Sequence, residues 1–486
     1  MEYKKRPVLP NLKENLAILK DDLGIGESFD VLVREFKVGG KDVALFFVDG
    51  FAKDDVLVWI MQSLFQVGRE QICIQAYQKL LDHHLPYIET DKIESLDDAE
   101  TSILSGSLVL LIDGEKKAIE IDAREYPART PEEPDVERVT RGSRDGFVET
   151  LIFNTALVRR RVRDPRLRVE YVTVGRRSKT DIAVMYLKDV AHPELVETVR
   201  GRIDKVDVDG LPMAEKSLEE FIARTGFSPF PKVRYTERPD VAAVHILEGH
   251  VVVVVDTSPS VMIMPATIFH HMQHAEEYRQ IPLVGTYIRW VRSLAILLSL
   301  LATPLWLAFA YQPELLPESL KFIGAQEVGL IPLYIQFFLA EVGLDIIRMA
   351  TIHTPSPLAT ALGIIAAFLI GDVAMSVGLL VPEVILYMSA AAIGSFATPS
   401  MELGQTFKLF RLGLLALAAI FQVPGVLVGL LVLVLWAAGT RSFGVSYLWP
   451  LMPFNAQALL AIILRKPVPM SKSRPGVAKP GDEDRA

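Results

Sequence analysis

LGLLALAAIFQVPGVLVGLLVLVLWAAGT occupies residues 412–440 and contains no charged side chain. The hydrocarbon core of a bilayer is about 30 Å thick, so a helix needs about 20 mostly apolar residues to cross it. Three further uncharged runs lie upstream, at 293–313, 354–371 and 384–401. The C-terminal part of the chain therefore predicts an α-helical transmembrane bundle in contact with membrane lipid.

The composition fits a chain divided between a membrane part and a polar folded part. Half of the 486 residues are hydrophobic and 23% are charged, and residues 1–292 carry charges every few positions. The net charge of −8 argues against a nucleic-acid partner, which calls for a basic surface. Cys73 is the only cysteine, which excludes an intrachain disulfide and a cysteine-rich metal site. The N-terminus lacks a secretory signal, which predicts a cytoplasmic N-terminal region.

Strand and helix patterns predict two α/β subdomains before the membrane part. DVALFFVDG at 42–50 is typical of a buried strand, and SILSGSLVLLIDG at 102–114 of a β-hairpin. A long helix is predicted at 143–163, and HVVVVVD at 250–256 predicts a strand buried on both faces. The predicted domains are a linker and helix at 1–28, α/β subdomains at 29–135 and 136–288, a transmembrane bundle at 289–440 and a cytoplasmic tail at 441–486.

The membrane part predicts spans at 289–311, 356–379, 382–398 and 409–438. The segment 327–350 is harder to assign, because Glu341, Asp345 and Arg348 are spaced i, i+4 and i+7 and share one helical face. A re-entrant helix, or one whose charges are hidden in the bundle, would accommodate them.

Basic residues in the tail favour a cytoplasmic C-terminus, which requires an even number of crossings. Four spans plus a re-entrant 327–350 satisfy this requirement. Lys408 and Arg411 would then face outward, against the same rule, so a five-span topology stays open.

The predicted span 356–379 has small side chains at nearly every fourth position, which lets helices pack closely in lipid. These are Ala359, Gly363, Ala367, Gly371 and Gly378. Asp372 is the only acidic residue of this span, and an ionisable group at that depth is costly. We predict Asp372, Ser376 and Thr360 as candidates for lining an ion pathway. The alternative is a structural pairing of Asp372, for example with Arg348.

Three other groups of polar residues have structural interpretations that compete with functional ones. His270, His271 and His274 could present two imidazoles as metal ligands, but an interfacial helix is the simpler interpretation. The cluster Arg159, Arg160, Arg161 and Arg163 predicts a solvated or inter-subunit face. Salt bridges between subdomains or subunits are predicted for Arg144, Asp145, Lys179, Asp181, Glu237 and Arg238. The sequence carries no catalytic or cofactor-binding motif, so we predict neither an enzyme nor a cofactor.

Five long stretches resemble the A-type subunits of the GerA family of spore germination proteins. In the α/β region they are RGSRDGFVETLIFNTALVRRRVRDPRL at 141–167, GRRSKTDIAVMYLKDVAHPELVETVRGRI at 175–203 and SPFPKVRYTERPDVAAVHILEGHVVVVVDTSPSVMIMPATIF at 228–269. In the membrane part they are PSMELGQTFKLFRL at 399–412 and RSFGVSYLWPLMPFN at 441–455. The resemblance covers nearly the whole chain after about residue 30.

This resemblance implies a multi-pass protein of the spore inner membrane that acts in germination. It also implies a ring-like homo-oligomer, such as a pentamer, around an ion-conducting pore, with an accessory membrane protein and other germination proteins as partners. An acidic ring formed by Asp372 would favour cations, which would suit a channel that releases monovalent cations. Two alternatives stay open. One is a non-conducting scaffold or receptor that couples germination complexes, and the other is a secondary transporter, although the spans show no obvious inverted repeat.

Overall fold

The computed structural model describes residues 5–72, 75–85, 87, 89–126, 137–224, 226–325, 329–352, 371 and 373–485. Over these residues, the N-terminal part forms two antiparallel β-sheets flanked by helices, and the C-terminal part is mostly helical. The α/β class predicted for the N-terminal region is therefore confirmed.

The first α/β unit contains a five-stranded sheet with strand order β1-β2-β4-β5-β3, in which all neighbours are antiparallel. The strands are β1 Val31–Val38, β2 Lys41–Val48, β3 Thr90–Ile93, β4 Leu108–Ile112 and β5 Ala118–Ile121. The helices are α1 Leu12–Asp22, α2 Asp54–Phe65, α3 Arg69–Ile72, α4 Ala76–Lys79 and α5 Leu96–Ser105, with a π-helical turn at Leu80–His84.

The second α/β unit has a five-stranded sheet with the corresponding order, β6-β7-β9-β10-β8. Its strands are β6 Leu167–Val174, β7 Thr180–Leu187, β8 Arg234–Thr236, β9 Val251–Val255 and β10 Val261–Met264. Its helices are α6 Leu151–Arg159, α7 Pro193–Ile203, α8 Ala214–Ala223 and α9 Pro239–Leu247.

The two units repeat one another in detail as well as in strand order. The Asn15 side chain accepts a hydrogen bond from the Leu9 amide at 2.9 Å and donates to the Leu9 carbonyl at 2.6 Å. Asn154 makes the same pair of bonds with Val148, at 2.8 and 2.6 Å. In both units the asparagine lies on the helix that precedes the sheet and fixes the chain six residues upstream. The α/β region is therefore a tandem structural repeat.

The strand β9 shows why these sequences form sheets covered on both faces. All five of its valines are fully buried, and alternate residues pack into two different cores. Val252 and Val254 contact the layer of α6 and α9, whereas Val251, Val253 and Val255 contact that of α7 and α8. Each buried valine removes apolar surface from water, a gain on the order of 1.5–3 kcal/mol. The predicted burial of this strand on both faces is confirmed.

Two predictions for the α/β region were wrong at their boundaries. Residues 102–105 belong to α5 rather than to the hairpin, whose strands are β4 and β5. Helix α5 starts where the Ser95 side chain accepts a hydrogen bond from the Asp98 amide. The helix predicted at 143–163 is only α6, because the backbone before it is held by Asn154 in a non-helical conformation.

The C-terminal part contains eight helices within the described residues. They are α10 Ile268–Met272, α11 Ala275–Arg279, α12 Pro282–Tyr311, α13 Leu333–Ile352, α14 Ala374–Ser376, α15 Pro382–Phe396, α16 Met401–Gly439 and α17 Ala456–Ile463. Short 3₁₀ helices lie at Pro313–Leu315, Glu318–Ile323 and Val468–Met470, and a two-stranded ribbon joins Arg441–Ser442 to Val445–Ser446.

Helix α16 folds back on itself at Gln422, where the backbone leaves the helical region with φ 56° and ψ −136°. A Cβ placed on Gly425 would lie 2.2 Å from the Leu417 carbonyl oxygen. Eight residues of straight helix would separate these positions by about 12 Å. The rings of Phe410 and Trp436 also meet, with centroids 5.9 Å apart. The single span predicted at 409–438 is therefore a helical hairpin with arms at 401–421 and 423–439.

Both ends of this hairpin return to the second α/β unit. The Thr406 hydroxyl donates a hydrogen bond to the Pro229 carbonyl, and the Ser442 hydroxyl donates to the Lys232 carbonyl at 2.6 Å. The turn lies at the far end, where the Val423 amide contacts the Gln312 side chain at the end of α12. The C-terminal tail therefore emerges on the α/β side.

The remaining helices differ from the predicted spans in where they begin or end. The helix predicted at 289–311 begins at Pro282, and that predicted at 382–398 is Pro382–Phe396. The problematic 327–350 segment contains the continuous helix α13, about 30 Å long and thus as long as a bilayer is thick. Most of the span predicted at 356–379 lies outside the described residues.

Candidate functional site

A row of charged side chains joins α13 to the first arm of α16. Arg411 and Glu341 form a two-pronged ion pair, with Nη2 2.5 Å from Oε1 and Nε 3.2 Å from Oε2. Both side chains are almost completely buried, at 2% and 4% exposure. Removing one partner from such a pair costs about 3–5 kcal/mol, because the other charge is left buried without compensation.

Two further contacts continue this row toward the α/β region. Lys408 pairs with Asp345, and the Gln405 amide, oriented so that its oxygen faces the guanidinium, accepts from Arg348. The positions on α13 rise from 341 to 348 while those on α16 fall from 411 to 405, so the two helices run antiparallel. We call these contacts, Glu341–Arg411, Asp345–Lys408 and Arg348–Gln405, the charge ladder.

Arg411 also ties the ladder to two other helices. Its guanidinium donates to the Ser299 carbonyl on α12 and lies 3.4 Å from the Ser395 hydroxyl on α15. Nearby, a Cβ on Gly394 of α15 would lie 2.1 Å from the Ala295 carbonyl oxygen of α12. The backbones of α12 and α15 therefore approach closely at Gly394, as the two arms of α16 do at Gly425.

The candidates for an ion pathway are only partly visible. Asp372 and Thr360 lie outside the described residues, as do Ala359, Gly363 and Ala367 of the small-residue row. The Ser376 hydroxyl donates to the Val373 carbonyl at 2.8 Å. A Cβ on Gly371 would meet none of the described atoms within 4 Å. Gly378 adopts a left-handed turn with φ +70°, so it ends a helix and does not pack one against another.

The predicted salt-bridge residues form contacts within the second α/β unit. Arg238 is fully buried and pairs with Asp240 at 2.9 Å, and Asp145 pairs with Arg161. Asp181 accepts from the Tyr171 hydroxyl. The Glu237 carbonyl accepts a hydrogen bond from the Phe147 amide at 2.8 Å, and the salt bridges predicted for Arg144, Lys179 and Glu237 stay predictions.

Different residues join the two α/β units. Arg159 binds Asp30 through two hydrogen bonds of 2.8 and 3.0 Å, and both side chains are about 98% buried or more. Glu27 binds Arg168 at 2.6 Å in the same region. The prediction of a solvated face for the arginine cluster is thus wrong for Arg159. Nothing in the sequence around Asp30 predicted that it pairs with Arg159.

Histidines cluster where the second α/β unit meets the helices. The rings of His245, His250 and His270 contact one another edge to face, with centroids 4.9, 5.2 and 5.8 Å apart. Burial lowers the pKa of His245 and His270 well below the usual value and that of His250 to about 4. The positive charge of Arg234 acts in the same direction. These rings are therefore neutral in the folded protein at neutral pH.

His271, on α10 beside this cluster, lines a cavity that reaches the first turn of α16. Its side chain is buried, and neither ring nitrogen makes a hydrogen bond of good geometry within the described residues, although the Pro231 carbonyl lies close to the ring. Burial lowers the pKa of His271 to about 3, and the Pro231 carbonyl acts in the opposite direction. His270 and His271 do lie on a short helix at the junction, but His270 is half-buried and His271 is buried, which their polar character did not predict.

A buried carboxylate anchors the start of α12. Glu277 is fully buried and pairs with Arg289, at 2.6 Å, and with Arg292. Arg289 also donates to the carbonyls of Ala461 and Ile462 on α17. Charge-assisted hydrogen bonds thus hold the start of α12 in place and also attach α17 to it.

Two of the described helical segments, Pro282–Tyr311 and Met401–Gly439, are long and apolar enough to cross a membrane by length and composition, and the second is divided into two arms at Gln422. Tandem α/β units fused to such helices define a class of membrane-associated proteins with a large folded domain. The chain belongs to the GerA family, since residues 17–477 match the family described as Bacillus/Clostridium GerA spore germination protein.

Two relatives in sequence agree with this assignment. Stage V sporulation protein AF of Bacillus subtilis (strain 168) is 48% identical over 97% of this chain and 96% of its own length. Spore germination protein KA of the same organism is 30% identical over 98% of this chain and 88% of its own. The crystal structure of the N-terminal domain of the A subunit of the Bacillus megaterium spore germinant receptor GerK3 matches with 26% identity and a TM-score of 0.44, covering 55% of this chain and 98% of that one.

Proposed function

We propose that the protein acts in spore germination as a subunit of an oligomeric membrane channel that releases monovalent cations. The charge ladder carries this proposal. Ionisable side chains inside an apolar helical region are expensive and commonly mark an ion pathway. Three successive turns of α13 and α16 carry them, and Arg411 links these helices to α12 and α15.

In this proposal the ladder is a rigid wall and Asp372 supplies the charge that faces the ions. The carboxylates of Glu341 and Asp345 are already neutralised by basic partners, so they attract a passing cation weakly. An unpaired carboxylate repeated around a ring would attract cations directly. The ring-like homo-oligomer, the spore inner membrane, the cytoplasmic α/β region and an accessory membrane partner belong to the same proposal.

Reconstitution of the full chain into planar bilayers tests the channel proposal. We expect currents carried by K⁺ or Na⁺, with cation selectivity reduced in Asp372→Asn. Glu318→Gln is the matched control, because Glu318 lies in an exposed 3₁₀ helix and pairs only loosely with Lys321 at 3.4 Å. Normal selectivity in Asp372→Asn would remove this residue from the pathway.

A non-conducting scaffold or receptor is the second candidate. The observation in its favour is the tandem α/β repeat, which is joined to the helices through both ends of the α16 hairpin and is larger than a simple pore requires. Retrieval of other germination proteins with the full chain, together with silent bilayers, would favour this function over a channel.

A further inference from the structure

The loop between α8 and β8 lies between the two ends of the α16 hairpin. We call residues 226–232 the junction loop. Its Pro229 carbonyl accepts the hydrogen bond from Thr406 at the start of α16, and its Lys232 carbonyl accepts the one from Ser442, just after the end of α16. The junction loop is therefore held where both arms of the hairpin leave the apolar helical region.

The two phenylalanines of the junction loop have opposite environments. Phe230 is only 1% exposed, and its ring packs against those of Phe410 and Tyr447, with centroids 5.3 Å away in each case. Phe227 is fully exposed. An apolar ring gains free energy when it leaves water, and a bilayer around the helices would be the nearest apolar phase.

Three basic side chains gather at the base of this loop, from Arg202, Arg224 and Lys232. The Lys232 amine donates to the Arg224 carbonyl at 2.9 Å, and the Arg202 guanidinium donates to the Ile222 carbonyl at 2.6 Å. Burial lowers the pKa of Lys232, and the positive charge of Arg202 lowers it further. Burial and the charge of Arg224 lower the pKa of Arg202 in the same way. The three side chains thus form a cluster of like charges.

This basic cluster lies at the same level as the end of the hairpin. The Arg202 guanidinium lies over the Phe443 ring, 4.9 Å from its centroid. Phe443 directly follows Ser442, which binds the Lys232 carbonyl, and Arg441 on the other side of Ser442 is exposed. Basic side chains beside the ends of apolar helices are attracted by anionic lipid headgroups.

The basic cluster has charge and hydrogen-bond donors to spare. Other arginines of this unit are ion-paired, for example Arg161 with Asp145, whereas Arg202, Arg224 and Lys232 have no acidic partner within the described residues. The carbonyls that they bind lie at the C-terminal end of α8, which carries about half of a negative charge. Three cations exceed that charge, so the cluster favours an additional anion.

We propose that the junction loop rests on the bilayer surface, where Arg202, Arg224 and Lys232 bind the phosphate of an anionic phospholipid and Phe227 enters the interface. The guanidinium fork and the ammonium group both match phosphate oxygens. Basic groups beside an exposed aromatic ring are typical of segments that lie in a membrane interface. A soluble phosphate would use the basic cluster but would leave Phe227 in water, so the lipid is favoured.

Lipid binding at this place would position the second α/β unit. The junction loop contacts both ends of α16, so a lipid held by the basic cluster would fix the unit against the membrane at the level where the hairpin leaves it. The lipid site lies outside the charge ladder and needs no ion to pass through the protein.

Local fluorescence quenching in the reconstituted full chain tests the proposal. A chain with Cys73→Ser and Phe227→Cys can carry bimane at residue 227, which replaces the phenyl ring by another apolar ring. In lipid nanodiscs we expect spin-labelled lipids to quench this fluorophore. We also expect spin-labelled phosphatidylglycerol to reach half-maximal quenching at a lower mole fraction than spin-labelled phosphatidylcholine, and we define the ratio of these mole fractions as the anionic preference.

Substitutions in the basic cluster should reduce the anionic preference. We expect a loss of about fivefold at low salt for each of Arg202→Gln, Arg224→Gln and Lys232→Gln, since each removes one charge near the membrane surface. High salt should weaken the preference of the otherwise unmodified labelled chain as well.

Lys37→Gln is the matched control and should leave the anionic preference unchanged. Lys37 is 71% exposed and pairs loosely with Asp42 at 3.5 Å. It lies near the tip of the β1–β2 hairpin, about 23 Å along the strand from Asp30, where the first unit joins the second.

A fluorophore at residue 227 that neither lipid quenches would overturn the proposal, because the junction loop would then lie away from the bilayer. The same anionic preference in the three cluster variants as in Lys37→Gln would also overturn it. Loss of the preference on adding inorganic phosphate, at an ionic strength matched with chloride, would assign the cluster to a soluble anion instead. Quenching is measured without ion flux, so its failure leaves the channel proposal standing, and silent bilayers leave the lipid site standing.

Discussion

At the scale of single residues, Arg411 connects α16 to three other helices, α13, α12 and α15. Replacing it alone by methionine leaves Glu341 buried without its partner, and we expect Arg411→Met to lower the free energy of unfolding by about 3–5 kcal/mol. Adding Glu341→Leu removes the orphaned charge and should recover most of this loss. Thermal unfolding in detergent, followed by circular dichroism, measures both.

Lys321→Met is the control for this pair. Lys321 and Glu318 are largely exposed, at 56% and 95%, and exposed pairs contribute little to stability. Equal destabilisation by the single and double variants would mean that Arg411 acts through its contacts with Ser299 and Ser395 and that its pairing with Glu341 contributes little.

The buried histidines predict a pH dependence of stability. His250 has a folded-state pKa of about 4, below the ordinary value of about 6.5, so the unfolded chain binds more protons as the pH falls. Stability is therefore fully present above about pH 6.5 and declines below it, by on the order of 2 kcal/mol at pH 5 for this residue. His250→Gln should flatten the profile measured by unfolding between pH 7 and 5.

His83→Gln provides the comparison, because His83 is exposed and its substitution should leave the pH profile unchanged. The other groups around His250 are His245 and His270, whose pKa values are lowered as well, and the cationic Arg234. None of these supplies a carboxylate that would favour a protonated ring. A profile that stays equally steep in His250→Gln would assign the effect to its neighbours.

At the scale of elements, the α16 hairpin depends on glycine at the place where its arms touch. A methyl group on Gly425 would meet the Leu417 carbonyl at 2.2 Å, whereas one on Gly413 would meet no atom of the described residues within 4 Å. We expect Gly425→Ala to destabilise the protein by about 1–3 kcal/mol through overpacking. Gly413→Ala should instead stabilise it by about 0.5–1 kcal/mol, because alanine is the better helix former.

A hairpin predicts that these two substitutions change the free energy of unfolding in opposite directions in the same assay. In a continuous helix both glycines would be interior positions with no neighbour eight residues away, and both substitutions would be stabilising. Two changes of the same sign would therefore contradict the reversal at Gln422.

The elements also show how far sequence patterns lead in this chain. The valines of β9 and the spacing of Glu341, Asp345 and Arg348 predicted a doubly buried strand and a shared charged face, because both follow from local periodicity. The reversal at Gln422 was not predicted, because the uncharged run 412–440 satisfies hydropathy with one helix or two. Pro424 marked the place, but proline is also tolerated inside transmembrane helices.

Contacts between distant elements were the hardest to predict. Asp30 and Arg159 each have the sequence context of a surface charge, and only the docking of one α/β unit on the other buries them together. The same applies to His271 and Glu402, which come from segments 131 positions apart and line one cavity. Sequence periodicity reports burial of a face, but it carries no information about which charged group lies opposite.

At the scale of the whole molecule, the hairpin predicts which segments share a side of the membrane. Gln422 lies at the same end as Gln312 and the 3₁₀ helices after α12, whereas the tail after Ser442 returns to the α/β region. Because Cys73 is the only cysteine, a Cys73→Ser chain can carry single cysteines at chosen sites. In intact cells that produce this chain, a membrane-impermeant maleimide should label Glu318→Cys and Gln422→Cys, and it should label Lys466→Cys only after the membrane is opened. A single crossing by 409–438 would instead place residue 422 in the bilayer core, out of reach of the reagent in either condition.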